Sequence, residues 1–148
     1  MEGRLKYMEL APEGVARMRV LEHYLNTGTG LEKTLLELVR LLSSKLNGCE
    51  YCIHMHTELL QKDHETADRI AGVLDWRGSE LYTRRERAAL GWAEEVTNIQ
   101  VGHAPDAVYE ELKEHFGDVE IVNLTLAITT INAWNRIAIS LGAHSHRG

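Results

Sequence analysis

Two cysteines occur in the 148 residues, Cys49 and Cys52, three positions apart. In a reducing compartment a lone CxxC is more often catalytic or metal-binding than a structural staple. On an α-helix Cys49, Cys52 and His56 fall at i, i+3 and i+7, within about 60° of arc on one face. Cys52 and His56 are also an i, i+4 pair, which brings the imidazole within reach of that thiol. With the helix starting just before Cys49, both sulfurs lie in its first turn, where free amides and the helix dipole favour a thiolate. An ordinary thiol, with a pKa of about 8.5, is mostly protonated at neutral pH; a helix start and a nearby histidine both lower that value. The residues thus provide a nucleophile, a base and a second thiol.

The second thiol matters because a sulfenic acid needs a resolving partner. Residues i and i+3 of a regular helix have Cβ atoms about 5–6 Å apart, whereas a disulfide takes about 3.5–4.5 Å. Closure is therefore expected to distort the first helical turn and to leave a bond that is readily reduced. Which sulfur attacks stays open at this level: His56 favours Cys52, and the helix start favours Cys49.

Other chemistries fit less well. A thioredoxin-type CxxC needs a strand–helix–strand setting, and helices flank this one on both sides. Zinc has candidate ligands in Cys49, Cys52, His54, His56 and His64. A structural zinc site needs four in tetrahedral array; there is no second CxxC, and His54 and His56 point about 160° apart on a helix. No metal and no cofactor is expected. His23, His64, His103 and His115 show no partner pattern and read as surface residues, and His54, off the Cys49/Cys52/His56 face, reads as an interface or surface histidine. His144 and His146, on a loose tail, make a poor specific site.

The elements that position these residues are helices. Helical periodicity runs throughout, with no strand-like alternation of useful length. Helices are predicted over about 12–25, 31–46, from near Cys49, 64–74, 84–98, 105–116 and 119–141, giving an all-α domain of about seven. Pro12 and Pro105 each open a helix. Asn47-Gly48 ends the second, and Asn47 with Glu50 is expected to cap the third. Thr83 and Glu86 form a capping-box pattern, Asp118 reads as the last cap, and Arg85, Glu86 and Arg87 read as a solvated helix start. Glu37, among Leu35, Leu36, Leu38 and Leu42, is a partly buried carboxylate that needs a partner. Trp92 reads as core. The apolar helix near 119–141 is expected to be the central buried element or part of an interface, with Asn132, Trp134, Asn135 and Arg136 paired between helices or subunits rather than lining an active-site pocket, the less favoured reading.

At 148 residues the chain suggests one domain, residues 1–148, that can hold a core without staples. The formal charge of -6 argues against a general nucleic-acid or anionic-membrane binder. The first residues lack the apolar run of a secretory signal, and the 119–141 stretch carries too many polar groups for a membrane span. A cytoplasmic protein is expected.

The stretch Glu37-Leu38-Val39-Arg40 followed by Leu46-Asn47-Gly48-Cys49-Glu50-Tyr51-Cys52-Ile53-His54-Met55-His56 resembles the AhpD-like alkylhydroperoxidase branch of the carboxymuconolactone decarboxylase family. The shared pattern is a Glu twelve residues before the first Cys, then CxxCxxxH. Residues 83–90 and 131–136 also look like this family, and the resemblance covers about residues 30–142. It implies the all-α AhpD-like fold, assembled as trimers or as hexamers. It implies that Cys52 is the peroxidatic cysteine, that Cys49 resolves it to a disulfide, and that His56 and Glu37 form a proton relay. The partners implied are a peroxide substrate and a thiol or dithiol reductant. The decarboxylase branch shares the fold without depending on the Cys pair, and its lactone chemistry is the less favoured reading. A redox-responsive sensor or binding protein, which needs the thiols but not turnover, is the alternative of another class.

Overall fold

A computed structural model of the chain describes residues 3–142; His144 and His146 lie outside them. The described residues form nine α-helices: α1 (Tyr7–Leu10), α2 (Pro12–Thr27), α3 (Lys33–Asn47), α4 (Glu50–Lys62), α5 (Ala67–Ala71), α6 (Arg84–Thr97), α7 (Ile99–Gly102), α8 (Asp106–Lys113) and α9 (Asp118–Leu141), with a 3-10 turn at Val73–Gly78. The expected helix at 64–74 is instead α5, capped by the Thr66 hydroxyl, followed by that 3-10 turn. The one-turn helices α1 and α7 are too short to carry a periodic signal. No helix among the described residues is long and apolar enough to cross a membrane.

The most enclosed helix is α3. Residues 35–44 are buried without a break, because α4, α6 and α9 pack around it. The expectation of a central 119–141 helix needs correcting. In α9, Leu124, Ala127, Ile128 and Ile131 face the core, but Val119, Val122 and Ile139 are exposed. Hydropathy alone does not distinguish the two faces.

Local chemistry sets several boundaries. The Thr83–Glu86 capping box is present, with Glu86 N–H donating to Thr83 Oγ1 at 3.1 Å and Thr83 N–H to Glu86 Oε1 at 2.8 Å. Asp118 is not the cap of α9. Gly117 holds that position, and its N–H donates to Glu120 Oε1 at 3.0 Å. Nor is the start of α6 simply a solvated face. Arg85 bridges Glu32 and Glu120 and lies over the Phe116 ring. Glu86 receives Arg69, and Arg87 donates to the carbonyls of Trp76, Arg77 and Ser79. Long side chains reach neighbouring elements that a single-helix reading does not see. Trp92 packs against the core and donates to Thr125 Oγ1 at 2.9 Å.

The joint that matters for the site is α3–α4. Gly48 adopts the left-handed conformation. Cys49 N–H returns to Ser44 O at 3.0 Å and Gly48 N–H to Lys45 O at 3.2 Å, the two bonds of a Schellman ending. Asn47 does not cap α4. It is the last residue of α3, and its amide donates to Asn132 Oδ1 at 2.8 Å and Asn135 Oδ1 at 2.9 Å on α9. Asn135 continues to Ser44 Oγ, Asn132 to Thr97 Oγ1, and Thr97 to Ser43 Oγ. Arg136 closes on Asn132 Oδ1 at 2.7 Å. This interhelix network satisfies polar groups that hydrophobic packing would otherwise leave bare. Asn47→Ala strips Asn135 of a donor in a fully buried setting. It is expected to cost about 1–3 kcal/mol, read as a lower urea midpoint at unchanged m-value.

Candidate active site

Helix α4 opens directly after the joint, and Cys49 is its N-cap. Its backbone is extended, and its Sγ accepts from Cys52 N–H at 3.3 Å. Cys49 and Cys52 are joined as a disulfide with Cα atoms 5.3 Å apart. The expected distortion of a regular first turn does not arise, because Cys49 stands just outside the helix. Cys52 lies in the first turn proper. Ala138 of α9 packs over the pair with Tyr51 beside it; the small side chain lets α9 approach closely.

His56 follows one turn after Cys52 and is buried with it. Its Nδ1 lies 2.6 Å from Glu37 Oε2, which α3 delivers from across the helix pair. Glu37 is only 4% exposed. Its second oxygen, Oε1, accepts from Arg40 Nη1 at 2.9 Å, and the same Nη1 donates to Asn26 Oδ1 of α2 at 2.7 Å. Arg40 Nη2 lies 3.7 Å from Glu22 Oε1, and Glu22 Oε2 accepts from the Trp134 indole at 2.7 Å. Burial pushes the Glu37 carboxyl up. The hydrogen bond and charge of His56, with the Arg40 guanidinium, outweigh it and hold the group below its usual range. His56 Nε2 is buried and has no hydrogen-bond partner among the described residues.

These groups wall a cavity of about 260 Å³. Glu22, Asn26, Glu37, Cys52 and His56 line one part of it, and Tyr7, Met8, Tyr51, Met55, Leu59 and Trp134 supply a mainly apolar remainder. Tyr7 and Met8 come from α1, whose preceding strand of chain is tied to the end of α9 by Arg4 and Leu5 N–H bonds to Leu141 O.

All four residues singled out from the sequence, Glu37, Cys49, Cys52 and His56, are thus brought together. The zinc candidates are not. The two cysteines bond to each other, His54 sits on the outer face 3.3 Å from Glu58, and His64 lies in a left-handed turn after α4. Among the described residues only Glu111, Glu114 and His115 bring three metal-capable atoms together, the two carboxylates exposed and the imidazole half-buried. Sequence reasoning missed Arg40, Asn26 and Glu22 as parts of this site; of the four polar residues weighed in the last helix, Trp134 both lines the cavity and bonds between helices, to Glu22. Arg40 carried one signal, its i, i+3 spacing from Glu37. The others reach the site only through the packing of α2 and α9.

A sequence profile of the carboxymuconolactone decarboxylase family matches residues 12–95. The uncharacterized protein YdfG of Bacillus subtilis is 38% identical over 142 residues, covering 96% of each chain. A crystal structure from Agrobacterium tumefaciens, of a protein of unknown function described as an AhpD antioxidant defence protein, superposes with a TM-score of 0.91. It is 40% identical, over 95% of both chains. An uncharacterized peroxidase-related protein from Ralstonia eutropha JMP134, with an alkylhydroperoxidase AhpD core, shares the fold. Its TM-score is 0.80 at 22% identity, over 94% of this chain and 74% of that one. The fold is therefore the AhpD-like helical one, here carrying a vicinal cysteine pair beside a buried carboxylate–imidazole couple. The chain belongs to the carboxymuconolactone decarboxylase family, in its AhpD-like branch.

The lowered Glu37 pKa has a consequence for acid stability. A carboxylate that binds its proton less readily when folded contributes stability above its unfolded value of about 4.5, lost as pH falls through the folded pKa. In Glu37→Gln the dependence of unfolding free energy on pH below about 5 should be shallower by up to ~1.4 kcal/mol per pH unit. Urea titrations of both proteins between pH 3 and 7 measure it; equal slopes contradict the assignment.

Proposed function

We propose that the protein is a thiol-dependent peroxidase and disulfide oxidoreductase that reduces hydroperoxides. The observation that carries this reading is the geometry of α4. Two cysteines capable of joining stand at its start, and a histidine oriented by a buried carboxylate lies one turn on; Cys52, His56 and Glu37 line one cavity, and Cys49 is bonded to Cys52 behind it.

In the reduced enzyme Cys52 is the nucleophile. The ionised Glu37 accepts the Nδ1 proton of His56, so the neutral ring presents Nε2 as a proton acceptor. His56 takes the Cys52 proton, directly or through water, and the helix start favours the thiolate. The sulfur attacks the terminal peroxide oxygen and the O–O bond breaks. The alkoxide leaves with the proton from His56 as an alcohol, and Cys52 becomes a sulfenic acid. The Cys49 thiol then attacks the Cys52 sulfur, forming the disulfide and releasing water. A thiol or dithiol donor restores both thiols by exchange and is itself oxidised to a disulfide. The apolar and aromatic cavity wall favours organic hydroperoxides over hydrogen peroxide, since a carbon-bearing leaving group gains from apolar burial.

Cys52→Ser should abolish peroxide consumption. Cys49→Ser should consume about one equivalent and accumulate a Cys52 sulfenic acid that dimedone traps. Mass spectrometry after one equivalent of cumene hydroperoxide, in metal-free buffer, decides it; dimedone on Cys49 in Cys52→Ser, with none on Cys52 in the other variant, reverses the roles. With wild-type protein and lipoamide as reductant, repeated turnover supports an enzyme, whereas one equivalent per site supports a sensor.

The proposal includes self-association. The exposed side chains Val119, Val122 and Ile139 give α9 an outward apolar character that buries favourably against another copy. A trimer or hexamer is expected by light scattering at micromolar concentration, and a monomer contradicts it.

A further inference from the structure

Arg40 is one of the largest fully buried side chains in the protein, and burial of a guanidinium is unfavourable unless its charge and donors are used. Its donors are used in one place. A single nitrogen, Nη1, bridges Asn26 Oδ1 of α2 and Glu37 Oε1 at 2.7 and 2.9 Å, while Nη2 stands toward Glu22 at 3.7 Å. The carboxylate of Glu37 therefore has one oxygen fixed on Arg40 and the other, Oε2, on His56.

We propose that Arg40 is a positioning residue of this site: it anchors one oxygen of Glu37 against Asn26 so that the other is held on His56. It touches neither substrate nor sulfur and acts through Glu37. Two effects follow. The Nη1 bond, shared with Asn26, fixes the orientation of the carboxylate and hence of the imidazole. The positive charge, less than one helical turn away, adds to the hydrogen bond and charge of His56 in lowering the proton affinity of Glu37. Without that charge Glu37 binds a proton more readily, and the pH at which Cys52 gives up its proton to the relay rises with it. The other charged and titratable groups on the cavity wall are Arg19 and Glu22 of α2, Tyr7 of α1, and Tyr51, Cys52 and His56 of α4; α9 contributes Trp134 and Ala138, which do not titrate. Glu22 is itself engaged by Trp134, which leaves Arg40 as the cation in direct contact with Glu37.

The inference rests on the proposed relay, so its test uses a readout independent of peroxide. Reduced protein is reacted with iodoacetamide from pH 5 to 9, with Cys49→Ser as the common background, and Cys52 alkylation is followed by mass spectrometry. The same series is run with cumene hydroperoxide. In Arg40→Gln the acid limb of both profiles should move up by at least one pH unit, so that the rate at pH 6 falls about tenfold. Arg40→Lys, which keeps the charge, should bring the limb back toward wild type. Asn26→Ala keeps the cation but loosens its anchor, and should lower the rate without moving the limb. A merely structural role would scale the rate at every pH alike. A folded Arg40→Gln protein with an unmoved limb, or Arg40→Lys no better than Arg40→Gln, overturns the proposal. Failure of Cys52 to react with cumene hydroperoxide, with the alkylation shift intact, would instead count against the peroxidase reading alone. Should Arg40→Gln fail to fold, Arg40→Lys and Asn26→Ala decide the matter: an alkylation limb left near wild type in Arg40→Lys, with the rate lowered at every pH in Asn26→Ala, supports the role of Arg40, and wild-type rates in Asn26→Ala overturn it.

Discussion

A carboxylate with almost no exposure governs the arrangement of this molecule. An ionised group in a low-dielectric interior costs several kcal/mol unless opposite charge and hydrogen bonds compensate it. Glu37 is compensated from both sides, by Arg40 on its own helix and by His56 on the next. Meeting that requirement fixes the relative placement of α3 and α4. It also recruits α2, because Arg40 in turn needs Asn26 and Glu22. A chain of electrostatic necessity thus runs from the outer helix α2 to the imidazole beside the cysteines.

A second network, of amides and hydroxyls with Arg136 at its edge, does corresponding work below the cysteine pair. The Schellman turn at Gly48 directs the chain from α3 into α4, and Asn47 ties that turn to α9 through Asn132 and Asn135. The cysteines are thereby held between two rigid anchors, the Asn cluster beneath and the Glu37–His56 pair one turn beyond. Under the proposed function such a setting would keep the two sulfurs in register as the bond between them is made or broken. The family likeness locates the chain among helical proteins of more than one chemistry, and a shared fold does not by itself specify a reaction. The cysteine pair, its oriented base and the apolar cavity narrow it.

Much of this was legible in the residues. The helices with strong apolar periodicity, the Thr83–Glu86 cap and the Gly48 stop are local events, settled by side chains within a few positions of one another. The CxxCxxxH spacing belongs to the same category: a single helix face places Cys52 and His56 one turn apart whatever surrounds them. Glu37 was recognisable as a charge in an apolar helix that had to find a partner. What misled was also local. Asn47 and Asp118 have the composition of caps, yet Cys49 and Gly117 take those positions, because tertiary bonds claim Asn47 and Glu120 serves the Gly117 amide.

Arg40, Asn26, Glu22 and Trp134 meet only after α2, α3 and α9 have packed, and their separations along the chain reach 112 residues for the Trp134–Glu22 bond. The cavity, the enclosure of α3 rather than α9, and the use of Arg85 and Arg87 as ties between elements are likewise properties of packing. The sequence by itself determined which residues are candidates for chemistry and which helix sets Cys52 one turn from His56, because those relations are set by helical repeat over a few residues. The tertiary structure decided what surrounds the base and holds its carboxylate charged, because burial and long-range pairing exist only once separate helices share a core.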